Sequence, residues 1–222
     1  MKKLIRYALF ACGCYLCVYL FPKIAADPLT FIDLRTDVLA TLEKYKDTWQ
    51  DTTIKTLDQP DDMNYELGDV VATITIPKMK IFEQPVYYGS NYLNNNWQIT
   101  MPGHLSNWGL LGEYKPCCIG AHNYQLFANL PDLEEGDLVI VENQIDTYVY
   151  EVVQTEIYDH LVDDFSDKAY NSKQEYDLIL MTCWPMDAIE TEDSYLVTCR
   201  MRKGTKLIPV SEETTETNEN EG

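Results

Sequence analysis

The first apolar stretch of the chain, Tyr7 to Phe21, carries no charge. Extended to Leu4 and Ala26, it has the length to cross a bilayer as a helix of about twenty residues. Lys2, Lys3 and Arg6 stand ahead of it. Positive charge on that side predicts a cytoplasmic N-terminus and an external body. A cleaved signal peptide is the competing reading, because Ile24-Ala25-Ala26 resembles a small-residue cleavage site. An uncleaved anchor over residues 1–26 is the favoured expectation, and both readings place the body outside the cytoplasm.

The pattern changes at Asp27. Phe31, Leu34, Val38, Leu39, Leu42 and Tyr45 recur at spacings of three and four, which predicts an amphipathic helix from Asp27 to about Thr53. Asp27-Pro28 suits its start. Leu57 to Leu67 is polar and reads as a linker, so residues 27–68 are expected to be helix and linker. From Asp69 the period shortens to two. The run Asp69 to Pro77 alternates β-branched residues and closes on a proline. Further strand candidates are Gln84–Tyr88, Cys117–Ala121, Asp137–Glu142, Tyr148–Glu156, Tyr176–Thr182 and Ser194–Met201. Gly136-Asp137 supplies a turn directly before Leu138. Many short strands joined by turns predict a small closed β-barrel over residues 69–210. Residues 211–222, rich in Glu and Thr, are expected to be a disordered acidic tail.

Composition supports a folded body: 45% of the 222 residues are hydrophobic, and the sixteen tyrosines lean it towards β structure. The net charge is −19, and without the tail's five glutamates the rest still carries −14. Such a body is repelled by phosphate backbones, so nucleic acid is not an expected partner. Seven cysteines cannot all pair within a monomer. Cys12, Cys14 and Cys17 fall in the anchor, leaving Cys117, Cys118, Cys183 and Cys199 in the body. Strand alternation turns one of Cys117 and Cys118 inward and the other outward. Simple packing is the expected role of Cys117, Cys118 and Cys199, with a Cys118–Cys199 bond as the alternative.

Two of these positions suggest chemistry. Cys183 ends the apolar strand candidate, and Trp184-Pro185 stops that strand because proline cannot donate to the ladder. His122 ends the run Cys118 to Ala121 and is followed by the polar Asn123. His104 and His160 lie in loop-like, polar surroundings. A cysteine nucleophile needs a base or cation beside it, and a histidine distant in sequence but adjacent across a sheet is the usual source. No Cys/His cluster has the spacing of a metal site.

The residues around these positions resemble the sortase family. Leu180-Met-Thr-Cys183 resembles the family signature Thr-Leu-x-Thr-Cys. Ile119-Gly-Ala-His-Asn123 is similar to its strand ending in Gly-His, with Ala121 in place of the glycine. Leu126 to Asp137 matches a Phe-x-x-Leu…Leu-x-x-Gly-Asp block. Upstream, Ile74-Thr-Ile-Pro-Lys78, Pro85-Val-Tyr-Tyr-Gly89 and Pro102-Gly-His-Leu105 follow in family order, and the resemblance runs from about Val70 to Cys199. It implies a mainly β fold: a closed, eight-stranded sortase-type barrel with short helices, preceded here by the anchor and the amphipathic helix. It also implies a cysteine transpeptidase that cleaves a C-terminal sorting motif similar to Leu-Pro-x-Thr-Gly and passes the acyl group to an amine, without metal or organic cofactor. The acceptor would be a peptidoglycan precursor or a pilin lysine. Cys183 would be the nucleophile and His122 the proton-transfer group.

One family feature is displaced. Setting Leu196-Val197 on the family's apolar positions puts Ser194 where an arginine stands. Arg200 is six residues further, roughly 20 Å along a strand at about 3.3 Å per residue. Support for substrate or oxyanion is therefore expected from the backbone N–H after Cys183 and from Ser194, Asn123 and Thr182. A catalytically impaired barrel that binds sorting peptides is one alternative. A pilin polymerase is another, disfavoured because Asp58-Gln-Pro60 lacks the Asp-Pro-aromatic lid motif and Asp27-Pro28-Leu29 lies too near the membrane.

Overall fold

The computed structural model describes residues 40–41, 43–60, 64–89, 98–159, 176–186, 188 and 191–209. The expected membrane anchor, the earlier turns of the amphipathic helix, His160 and the acidic tail lie outside them. The chain divides into two units, Met1–Lys46 and Asp47–Gly222. Residues 43–50 are helical. No helix among the described residues is long and apolar enough to cross a membrane.

The second unit is built on nine strands: β1 Ile54–Asp58, β2 Val70–Ile76, β3 Ile81–Tyr88, β4 Ile99–Met101, β5 Cys117–Gly120, β6 Leu138–Glu142, β7 Thr147–Asp159, β8 Leu178–Trp184 and β9 Asp193–Ile208. Their order is β1-β9-β7-β6-β2-β3-β4-β5-β8, and β8 pairs back onto β9. That last pairing closes β2 to β9 into an eight-stranded barrel, as the sequence implied. Closure matters because it removes the open sheet edges that β8 and the first half of β9 would otherwise present.

The barrel follows the period-two pattern closely. In β2, Ala72, Ile74 and Ile76 enter the interior. In β8, Leu178 and Leu180 do the same, while Ile179 belongs to a separate outer cluster with Trp108, Cys118, Tyr158 and Leu196. Alternation also decides the cysteines. Cys117 and Cys199 sit in the interior core and Cys118 in the outer cluster. Cys118 and Cys199 thus leave opposite faces of the barrel wall, which rules out the bond considered between them, and all four body cysteines are free.

Two strands escape the sequence pattern. β1 falls in the stretch expected to be helix and linker, yet it pairs in parallel with the end of β9, Ile54 to Gly204 through Asp58 to Ile208. All five of its residues are exposed, so no buried face announces it; the backbone ladder holds it, with an ion pair from Lys55 to Asp146 at 3.7 Å. The three-residue β4 is too short to show a period.

β9 serves three neighbours, and Gly204 marks the change. Before it β9 pairs with β7 and β8; from it onward the partner is β1. Gly204 has φ 143°, and an added Cβ would lie 2.4 Å from Cδ1 of the buried Tyr148. Gly204→Ala is therefore expected to destabilise the barrel by about 2–4 kcal/mol, from steric overlap and backbone strain together. Chemical denaturation of both proteins would measure it.

Candidate active site

The polypeptide brings Cys183 and His122 together through parallel pairing of β5 and β8. The register runs Cys117 with Leu178 through Gly120 with Met181. The ladder continues past β5, because the Ala121 N–H donates to the Met181 carbonyl at 3.2 Å. His122 follows directly, two residues past the end of β5, and Cys183 lies two residues past Met181 on β8. On the other side of β8, Cys183 lies directly opposite Ser194 of β9. Ser194 in turn lies opposite Tyr158 of β7. Cys183, Ser194 and Tyr158 thus form one row across the wall, and His122 follows the end of β5 on the other flank of β8.

The row lies on the outside of the barrel. Cys183 shares its face of β8 with Ile179 and Met181, and Ser194 shares its face of β9 with Leu196; all three of these neighbours belong to or pack on the outer cluster. The thiol of Cys183 is exposed, whereas those of Cys117, Cys118 and Cys199 are buried. Burial pushes the Cys118 thiol up to about 12 and holds those of Cys117 and Cys199 well above the usual thiol value, with the Cys118 and Asp177 charges adding to the respective shifts. Among the four body cysteines, Cys183 alone is exposed.

Around the pair, two polar groups lock one loop to the other. The Thr182 hydroxyl donates to the Ala121 carbonyl at 2.8 Å, on the barrel interior rather than the face that carries Cys183. Asn123 is 1% exposed, and its Nδ2 donates to the carbonyls of Pro185 and Ala188 at 2.9 and 3.1 Å. The residue before Cys183 and the residue after His122 are therefore each tied to the facing segment, and both amide protons of Asn123 are spent on its carbonyls. Ser194, 8% exposed, stands beside the thiol. Asn123→Ala removes both bonds and leaves two carbonyls to be re-solvated, so a loss of about 1–3 kcal/mol in unfolding free energy is expected, measurable by urea titration.

The arginines fall where the spacing put them. Arg200 lies opposite Glu151 of β7, and Arg202 pairs with the Glu151 carboxylate at 3.3 Å. Neither shares the Cys183 row. Sequence reasoning passed over Tyr124, whose ring stacks on that of His122 with centroids 5.2 Å apart and planes 21° apart. Its only signal was an aromatic two residues after the histidine. His104 lies elsewhere in the body, with its Nε2 2.6 Å from the buried Glu113 carboxylate.

The class these features define is a closed β-barrel with one exposed free thiol near the end of a strand and a histidine two residues past the end of its parallel neighbour. A family model described as the Sortase domain matches residues 74–202, more than half of the chain. The chain belongs to the sortase family, whose members are in general cysteine transpeptidases.

Solved structures agree on the fold. Sortase C from Clostridium perfringens SM101 is similar at 22% identity over 76% of this chain and 89% of that one, with a TM-score of 0.52. The Clostridium perfringens sortase C with the C-terminal cell wall sorting motif is 19% identical over 85% of this chain and 98% of that one, TM-score 0.53. A pilus-related sortase C of Group B Streptococcus is 20% identical over 76% and 89%, TM-score 0.51. No curated protein sequence matches the chain.

Proposed function

We propose that this sortase cleaves a sorting motif similar to Leu-Pro-x-Thr-Gly and transfers the acyl group to an amine, with Cys183 as nucleophile and His122 as the proton carrier. The observation that supports the reading is the exposed thiol of Cys183, opposite Ser194 on a strand whose parallel partner β5 ends two residues before His122.

The Cys183 thiolate attacks the threonine carbonyl carbon, and the carbonyl electrons move to oxygen. Collapse breaks the C–N bond; the His122 imidazolium gives its proton to the leaving amine, and a thioester remains on Cys183. An incoming amine then attacks the thioester and His122 accepts its proton. The C–S bond breaks and the Cys183 thiolate returns. Ser194 Oγ and the Trp184 N–H are the donors assigned to the developing oxyanion, a role worth orders of magnitude in rate where such donors are preorganised. Asn123 and Thr182 serve by fixing the two loops. The anchor at residues 1–26 would hold the enzyme in the cell membrane with its N-terminus cytoplasmic and its barrel outside, anchoring surface proteins to the cell wall.

The test is incubation of the full-length chain with fluorogenic sorting-motif peptides and an amine acceptor, followed by mass spectrometry of the Cys183 peptide. A Cys183-linked acyl adduct and an amine-ligated product are the expected results. Absence of both across a broad motif library would overturn the transpeptidase reading. A second reading, a barrel that binds sorting peptides without turning them over, is favoured by the serine at position 194 and the distance of Arg200. It predicts peptide binding without adduct.

A further inference from the structure

His122 stands two residues past the end of β5, and a histidine in that position has two freely turning side-chain bonds. Its partner thiol lies across a gap between chains, so the imidazole serves only while its ring is aimed at that thiol. Two features hold it. Asn123, buried between His122 and Tyr124 in sequence, is pinned to the Pro185 and Ala188 carbonyls. That fixes the backbone from which the two flanking rings emerge. The rings then lie nearly parallel, at 21° and 5.2 Å, within the range of favourable aromatic stacking. Tyr124 is 44% exposed, so it contributes little to the core; its stacking partner is the imidazole.

We propose that Tyr124 is a positioning residue for the reaction: its ring backs the His122 imidazole and holds it in the plane from which it exchanges protons at Cys183. The role belongs to the ring face and not to the hydroxyl. This inference rests on the assignment of His122 as the proton carrier and adds to it the group that orients it.

The test uses the full-length chain and four variants, Tyr124→Ala, Tyr124→Phe, His122→Ala and the double variant Tyr124→Ala with His122→Ala. Two rates are read: acylation by a sorting-motif peptide, and alkylation of Cys183 by iodoacetamide between pH 6 and pH 9. Tyr124→Ala is expected to lower kcat for acylation about 5- to 30-fold with KM within about twofold, while Tyr124→Phe stays within about twofold of the parent. The pH profile of alkylation changes in Tyr124→Ala and is retained in Tyr124→Phe. In the His122→Ala background, removing Tyr124 produces no further loss, because the two act as one unit.

A rise in KM with kcat unchanged would overturn the proposal in favour of a substrate contact. So would a Phe variant as impaired as the Ala variant, equal losses from Tyr124→Ala with and without His122, or no loss at all. Retained acylation in His122→Ala itself would instead strike the functional reading, which keeps the two failures apart. Circular dichroism and urea titration of Tyr124→Ala guard against a folding defect; should it unfold, Tyr124→Leu supplies the same comparison.

Discussion

Cys183→Ala is expected to eliminate the acyl adduct and to lower peptide cleavage by at least about 10³-fold, because covalent catalysis disappears with its nucleophile. The other body cysteines offer no rescue. Cys117, Cys118 and Cys199 are 0–1% exposed, and burial holds their thiols protonated at neutral pH. Two of them also face the barrel interior, on the other side of the wall from His122. The substitution itself is mild. Cys183 is exposed at the end of β8, so unfolding free energy is expected to stay within about 0.5 kcal/mol of the parent. A variant that folds as before and forms no adduct locates the chemistry at this atom. Cleavage that persists in Cys183→Ala and vanishes in Cys199→Ala would refute the assignment.

His122→Ala should cost about 10²–10⁴-fold in the rate of acylation, the range that positioned proton transfer supplies. The loss has two sources. Without the imidazole the thiol loses its assigned base, and the departing amine has no proton donor. Single-turnover kinetics distinguishes the first step from the second, since deacylation by an added amine also needs a group to take up a proton. Asn123, immediately after His122, provides the contrast. Its amide is spent on Pro185 and Ala188, so its removal should appear first in stability and only secondarily in rate. A His122→Ala protein that acylates at the parent rate would show that the imidazole is a bystander.

Much of this site could be read along the chain because the relevant signals are local. Cys183 precedes Trp184-Pro185, which ends the strand and leaves the thiol at its mouth. His122 follows four residues of buried strand and precedes a polar residue. The offset of Arg200 from Ser194 is fixed by strand rise, and β9 is continuous between them, so the distance survives folding unchanged. The roles of Asn123 and Thr182 were less legible. Each is a polar residue beside a candidate reacting group, and the sequence cannot tell a donor aimed at substrate from one spent on the facing loop. The Thr182 bond to Ala121 spans 61 positions, and the Asn123 bonds span 62 and 65.

What the sequence determined by itself is whatever depends on period and on chain terminators: the barrel strands long enough to show a period, the opposite facing of Cys117 and Cys118, the strand-end setting of Cys183, and the family. What only the tertiary structure decided is whatever depends on register between distant segments. The pairing of Cys183 with Ser194, and of β8 with the strand that leads to His122, follows from two ladders, one antiparallel and one parallel, that no local pattern specifies. β1, whose side chains are all exposed, exists only because β9 offers it a backbone edge. The contact of Tyr124 with His122 needs the buried Asn123 to set the turn between them. Side-chain alternation is written into each strand, but backbone hydrogen bonds between strands carry no residue identity; their partners are chosen by how the whole barrel closes.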